Sequence, residues 1–327
     1  MEQFLKKSCV FFFVFYGLLL LLQYAVDSGL RQTYDDDHAD WNRLFEGKIS
    51  APMVFLGSSR AESHFDTQII AKKTGIPSYN LGLVGATITV QNIRWKSYIA
   101  HNKAPKIVIQ NVDLYALSEK IVPDKKQFLP YYNETEMYNE LAKSDNTVRL
   151  EKWIPMSKYR GYEVQVLKGL SGLFRKQFVT YKINGYHKHN ARWNSDFDKF
   201  KTSLHGKQID FSKTDFTTGL QSLQALISDC KKRNIKLILV WTPTYYEYSD
   251  LQEPTLSAMK LKIRKMANDN DILFWDYSVG GINNDKTYFY NSFHLNEKGV
   301  SIFCGQFSDS IITNLTSATP LFSGAKF

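Results

Sequence analysis

The chain has little cysteine: three residues in 327, at Cys9, Cys230 and Cys304, with no CxxC pair. Two of them lie far apart downstream of Cys9, so no disulfide framework is suggested, and the missing CxxC argues against a structural zinc site. Buried free thiols are the expected state of Cys230 and Cys304. No repeat of solenoid type and no long low-complexity tract is present, which removes solenoids and arrays. Acidic residues are in deficit, 32 against 41 basic, giving a net charge of +9. Such an excess suits nucleic acid, an anionic envelope surface or an acidic polymer. No helix-turn-helix, RNA-binding or zinc-finger signature accompanies it, so no nucleic-acid partner is expected. His187 and His189 form an HxH pair without an obvious third ligand, and neither a metal nor a cofactor is expected. What remains, 43% hydrophobic and 22% charged, is a folded globular chain.

Cys9 to Val26 carries no charge. At 1.5 Å per helical residue it spans about 27 Å, close to the hydrocarbon thickness of a bilayer. Lys6 and Lys7 precede it and Asp35, Asp36 and Asp37 follow, which places the amino terminus inside. A cleaved signal peptide competes with this reading. The stretch is longer than a usual signal core, however, and Ala25-Val26-Asp27 is a poor cleavage site. Residues 1–30 are therefore expected to be a cytoplasmic stub and single-pass anchor in the inner membrane, with the rest in the periplasm or outside the cell. Residues 31–50 read as a stalk with a short amphipathic helix around Trp41, Leu44 and Phe45.

From residue 51 the pattern is α/β. Met53–Leu56 is an apolar run bounded by Pro52 and Gly57, and reads as a buried strand. Helix from Phe65 to Thr74, strand from Ser78, helix from Thr87 and strand Lys106–Val112 follow at spacings suited to parallel crossovers. The rhythm lapses over about 115–205, where aromatic and basic residues interleave. This insert reads as a cap whose aromatic faces suit sugar rings or an anionic polymer, or as a small satellite core with a basic rim. The alternation returns with helix Phe216–Arg233, strand Lys236–Trp241, helix Leu256–Asn268, strand Ile272–Trp275 and a last helix from Glu297. The insert thus interrupts one α/β domain over 51–327.

Sites in open α/β sheets lie beyond the carboxyl ends of the strands. Gly57-Ser58-Ser59-Arg60 leaves such an end, and His294 precedes the last helix. A serine hydroxyl needs a base near neutral pH, so Ser59 and His294 are candidates for nucleophile and base. The bland alternative is a turn with serine as helix N-cap. His64 reads as a helix-end residue, and Arg60 as pairing with a carboxylate or holding an anionic substrate.

The order GSSR, NLGLVGA, a strand with a polar end, then NSFHLNEKG resembles the SGNH (GDSL-like) hydrolase superfamily over residues 53–113 and 216–313. It is most similar to membrane-anchored members linked to O-acylation of cell-surface polysaccharides. The resemblance implies a three-layer, flavodoxin-like α/β sandwich with a central parallel sheet behind one transmembrane helix. It puts Ser59 at the nucleophile, Gly85 at a backbone oxyanion donor and His294 at the base. Two departures stand out. The third oxyanion donor is Asn111 or Asp113 in QNVD, and the aspartate three residues before the histidine is replaced by Asn291. Asparagine can hold an imidazole but cannot balance its charge, and Asp285 is the candidate for the missing carboxylate. The implied function is O-acyl, most plausibly acetyl, transfer or ester hydrolysis on an envelope or secreted polysaccharide. The resemblance implies a multispanning membrane acyltransferase as partner. The competing reading is a catalytically weak polysaccharide-binding scaffold.

Overall fold

A computed structural model describes residues 1–118, 125–174 and 178–316. The chain opens with helix α1 (Glu2–Leu30). Strand β1 (Met53–Leu56) leads to α2 (Ser59–His64), α3 (Thr67–Thr74), β2 (Ser78–Asn80), α4 (Ile88–His101) and β3 (Ile107–Asn111). After α5 (Glu163–Gly172), the alternation resumes with α6 (Thr217–Lys232), β4 (Lys236–Trp241), α7 (Thr255–Asp269), β5 (Leu273–Asp276) and α8 (Glu297–Ile311).

The five strands form one sheet in the order β2-β1-β3-β4-β5, parallel throughout. That is the flavodoxin-like order, and its switch point lies between β1 and β3, where the chain turns from building one half of the sheet to the other. β1 and β3 are buried at every position, as strands covered on both faces are, although β3 ends in the polar pair Gln110 and Asn111. On one face, Phe55, Ile109 and Ile238 pack with Phe65 and with Phe303 and Phe307 of α8. Helices α6 and α7 pack against β4 and β5 without joining that cluster. Gln110 donates to Gln91 of α4 at 2.7 Å. The parallel three-layer α/β sandwich expected from the sequence is present.

The helix expected from Phe65 to Thr74 is α3, starting two residues later, and the short α2 precedes it. Ser58 caps α2 and Asp66 caps α3, its carboxylate accepting from the Gln68 and Ile69 N–H groups; Phe65, in extended backbone between them, ends the first.

The chain divides into two compact units. One holds the whole sheet: residues 49–92, 103–123 and 181–327. The carboxyl-terminal part of the insert belongs to its core, since Tyr186 and Phe197 are buried there and Trp193 packs against them. The other unit comprises residues 1–48, 93–102 and 124–180. Residues 31–48 are folded into it and do not stand apart as a stalk. Trp41 and Leu44 are buried, the Trp41 indole donates to Gln127 at 3.1 Å, and Asn42 donates to the Leu30 and Thr33 carbonyls. The amphipathic signal around Trp41 is the inner face of this unit. Most insert aromatics in it are also interior: Tyr131, Tyr132 and Tyr159 are buried and only Trp153 is widely exposed among those named tyrosines and tryptophans. They offer core packing more than a face for sugar rings.

Candidate active site

The site is built where β1 and β3 end. Gly57 follows β1 with φ +157°, and a Cβ there would approach Ala61 and Asn111 Cβ atoms to 2.5 and 2.8 Å. Glycine is what lets the strand turn into α2. The two serines take different places. Ser58 is the N-cap, accepting from Arg60 N–H and donating to Asp113 Oδ2 at 3.0 Å. Ser59 opens the helix, half-buried, with Oγ 2.9 Å from His294 Nε2. As the first helical residue it has an N–H without an intrahelical acceptor.

Asn80, at the end of β2, holds α2 in place. Its amide donates to the Ala61 carbonyl at 2.8 Å and the Phe65 carbonyl at 3.1 Å, and its oxygen accepts Gly82 N–H at 2.8 Å. Beneath the helix, Lys182 and Glu62 form a buried ion pair at 2.7 Å. His64 is buried at the end of α2, and its Nε2 accepts Leu295 N–H at 3.0 Å. It therefore fastens the His294 segment to the nucleophile helix, a role its position in sequence did not disclose.

The His294 ring is stacked on Tyr290, centroids 5.2 Å apart at 10°, and Tyr290 in turn faces His189. Burial, Arg60 and His189 push the His294 pKa down to about 3, so the imidazole is neutral at neutral pH. Asn291 decides which nitrogen carries the proton. Its Oδ1 accepts the N–H groups of Phe293 at 3.2 Å and His294 at 2.9 Å, which turns its Nδ2 to His294 Nδ1 at 3.1 Å. An amide NH2 only donates. Nδ1 must accept, the proton sits on Nε2, and Nε2–H donates to Ser59 Oγ. This is the tautomer opposite to the one a general base needs.

The remaining expected residues divide. Gly85 lines the same cavity as Ser59, in left-handed backbone at φ +69°. Asn111 does not face it: its amide donates to the Val240 carbonyl at 3.3 Å and to Thr242 Oγ1 at 3.2 Å, between β3 and β4. Asp113 does line it, but as an acceptor, taking Ser58 Oγ–H and Ala116 N–H. Neither residue is placed to donate to an oxyanion. Arg60 is buried and donates to the carbonyls of Thr242 and Pro243 and to Thr244 Oγ1, not to a carboxylate. Its charge, close to His294, is one reason the imidazolium is disfavoured. Asp285 accepts Thr287 N–H at 2.8 Å as a local cap and makes no bond to His294.

The cavity holds about 260 Å³ and is walled by Val84, Leu114, Tyr115, Trp241, Tyr248 and Phe293 around Ser59 and Asp113. That is the lower end of small-molecule sites. A half-buried hydroxyl, a neutral imidazole against it and small apolar walls suit a short acyl group more than a long one.

No family model matches the chain, and no curated protein matches it. Solved structures do. The chain is similar to a GDSL-like lipase from Bacteroides thetaiotaomicron, at 14% identity and TM-score 0.38, covering 79% of this chain and 87% of that one. It is similar to an acetyl xylan esterase at 14% identity and TM-score 0.40, covering 80% and 99%. A second acetyl xylan esterase, from the rumen bacterium Butyrivibrio proteoclasticus, matches at 10% identity and TM-score 0.35, covering 81% and 64%. The likeness is to GDSL-type and acetyl xylan esterases.

Proposed function

We propose that the protein is a serine-dependent acyl-transferring enzyme of the SGNH type, acting on esters of an envelope or secreted polysaccharide. The observation that carries this is the 2.9 Å contact between Ser59 Oγ and His294 Nε2, beside a cavity at the sheet's switch point. Ser59 Oγ attacks the ester carbonyl carbon and its proton passes to His294 Nε2. The tetrahedral oxyanion lies near the N–H groups of Ser59 and Gly85. Collapse expels the alkoxide, which takes the proton from His294 and leaves an acyl-serine. Water then gives hydrolysis; a sugar hydroxyl gives transfer. The steps need Nε2 free of its proton, so the Nδ1–H tautomer is the working one.

Helix α1 is long and apolar enough to cross a membrane. In this reading it anchors the protein in the inner membrane with the catalytic unit in the periplasm, and a multispanning acyltransferase supplies the acyl group. The acyl group is acetyl, which the cavity admits.

Asn291 favours a second reading, a weakly catalytic scaffold for glycan modification, because it holds His294 in the resting tautomer. Intact-mass spectrometry of the full chain with an activated acetyl ester separates the two. The enzyme reading expects a Ser59-dependent acetyl adduct or turnover, lost in Ser59→Ala and in His294→Ala. Folded protein with neither adduct nor turnover supports the scaffold.

A further inference from the structure

Residues 150–156 carry an exposed apolar surface that the catalytic site does not use. Leu150, Trp153 and Ile154 are 65%, 72% and 55% exposed. Val164 and Leu167 on α5 are exposed as well, while Gln165, Gly169 and Gly172 of the same helix are buried. An amphipathic helix ordinarily turns its apolar side inward; here two glycines and a glutamine face in and large apolar residues face out.

The position of this surface along α1 gives it meaning. Tyr16 donates its hydroxyl to the Trp153 carbonyl at 2.8 Å, and Gln23 Oε1 accepts Met156 N–H at 2.7 Å. Ile154 and Pro155 close an apolar groove with Phe12, Phe13, Phe15 and Leu19 of α1. At 1.5 Å per residue, Tyr16 lies about 15 Å below Val26, the outer end of the uncharged run. A segment bonded to Tyr16 is then at the depth of acyl chains, not of headgroups.

Backbone at that depth must satisfy its own polar groups, and the N–H groups of residues 152–157 do. The N–H groups of Lys152, Trp153, Ile154, Met156 and Ser157 all have acceptors within the protein. Residue 155 is proline and has none to satisfy. The Leu150, Trp153 and Ile154 carbonyls accept bonds in turn. Arg149, Lys152 and Arg160 are exposed around the apolar tip, and the Lys152 ammonium lies over the Tyr138 ring.

We propose that residues 150–156, with Val164 and Leu167 of α5, are inserted in the outer leaflet beside α1, so that the protein is held by a helix and a protein finger together. The proposal rests on α1 spanning the membrane. Its occupant is phospholipid.

The test uses the full chain in phosphatidylethanolamine–phosphatidylglycerol vesicles, in a Cys9→Ser background; the other two cysteines are buried. An environment-sensitive fluorophore is placed at Ile154→Cys or Leu167→Cys, at Leu20→Cys on α1, and at Leu261→Cys on α7, which is 68% exposed. The expected result is blue-shifted emission at 154 and 167, quenched by lipid brominated in the acyl chain, as at 20, with water-like emission at 261. Quenching at 20 with water-like emission at 154 and 167 overturns the finger and leaves the anchor standing; the surface then belongs to a protein partner. Water-like emission at 20 as well overturns both.

Discussion

Replacing Asn291 by aspartate should raise the activity of the proposed site, the reverse of what mutating an active-site residue usually does. The two side chains have nearly the same shape. In Asn291→Asp one oxygen keeps the N–H groups of Phe293 and His294, held now at 3.2 and 2.9 Å. The other replaces the amide nitrogen 3.1 Å from His294 Nδ1 and accepts a proton where the amide donated one. The working Nδ1–H tautomer, which in the native site sets donor against donor, becomes the resting one. Leaving a buried donor unsatisfied costs about 1–3 kcal/mol, equivalent to about 5- to 150-fold in rate. The carboxylate also stabilises the imidazolium that forms as Ser59 attacks, and the full difference between Asp and Asn in a serine triad reaches about 10⁴ in turnover. An increase in kcat/KM of at least about tenfold toward p-nitrophenyl acetate is expected on that arithmetic. Nitrogen NMR of the His294 ring should show the proton moving from Nε2 to Nδ1. An unchanged or lower rate, from a variant that folds and shows the shifted proton, would refute the claim that the tautomer limits this site.

The acid side follows from the same histidine. With its pKa near 3, His294 stays unprotonated, so the native rate should not fall between pH 7 and 5; a loss centred near pH 6.5 would contradict the burial argument. Asn291→Asp should bring an acid limb into that range, because a carboxylate raises the pKa of its partner. Stability should behave differently. His64 and His294 both have pKa values lowered on folding, so the unfolded chain binds more protons below its own pKa of about 6.5. Their contribution is complete above that pH and is lost as pH falls, by at most about 1.4 kcal/mol per pH unit for each histidine; urea unfolding at pH 7 and pH 5 measures it. His64→Ala removes the acceptor of Leu295 N–H and should cost about 1–3 kcal/mol, with a fall in kcat that exceeds any rise in KM, since His294 loses its fixed position. Phe303→Ala, in the core below α2, should cost about 3–5 kcal/mol in unfolding free energy with the Ser59-dependent adduct retained at low temperature.

The sheet was legible because β1 and most of β4 are apolar runs and β3 opens as one, in Ile107, Val108 and Ile109. Ser59 and His294 were legible as a pair for a topological reason: parallel strands bring their carboxyl ends together whatever lies between them. The register at the end of β3 was not. Asn111 and Asp113 differ by two residues and only the point where the strand ends separates them. Asn111 is still tied to β4 through Val240 and Thr242, whereas Asp113 has left the sheet to cap the next turn. The tautomer was half legible: Asn291 showed that charge was missing, but only the two backbone N–H groups on its oxygen fix which way the amide faces. The role of the aromatics in the insert was least legible, since Tyr186 and Trp153 look alike in sequence and one lies in the sheet core while the other is exposed.

On the proposed mechanism, a base held in its resting tautomer limits the rate without choosing between water and a sugar hydroxyl as acceptor. Deacylation of an acyl-serine needs the same imidazole as acylation, so the penalty at Asn291 slows attack by water and by sugar alike. Water can offset it only through concentration. A bound hydroxyl, held in line with the carbonyl, gains an effective molarity of up to about 10⁵–10⁸ M, far above that of water. The ratio of transfer to hydrolysis is therefore set by how well the protein positions the acceptor hydroxyl, and the tautomer penalty leaves that ratio unchanged. By this argument Asn291→Asp should increase hydrolysis of the activated ester and transfer to a bound glycan by the same factor. Partitioning of the acetyl group between water and an oligosaccharide acceptor, followed by mass spectrometry in both proteins, measures it. An increase in one product alone would refute this and mean that Asn291 also takes part in the choice of acceptor.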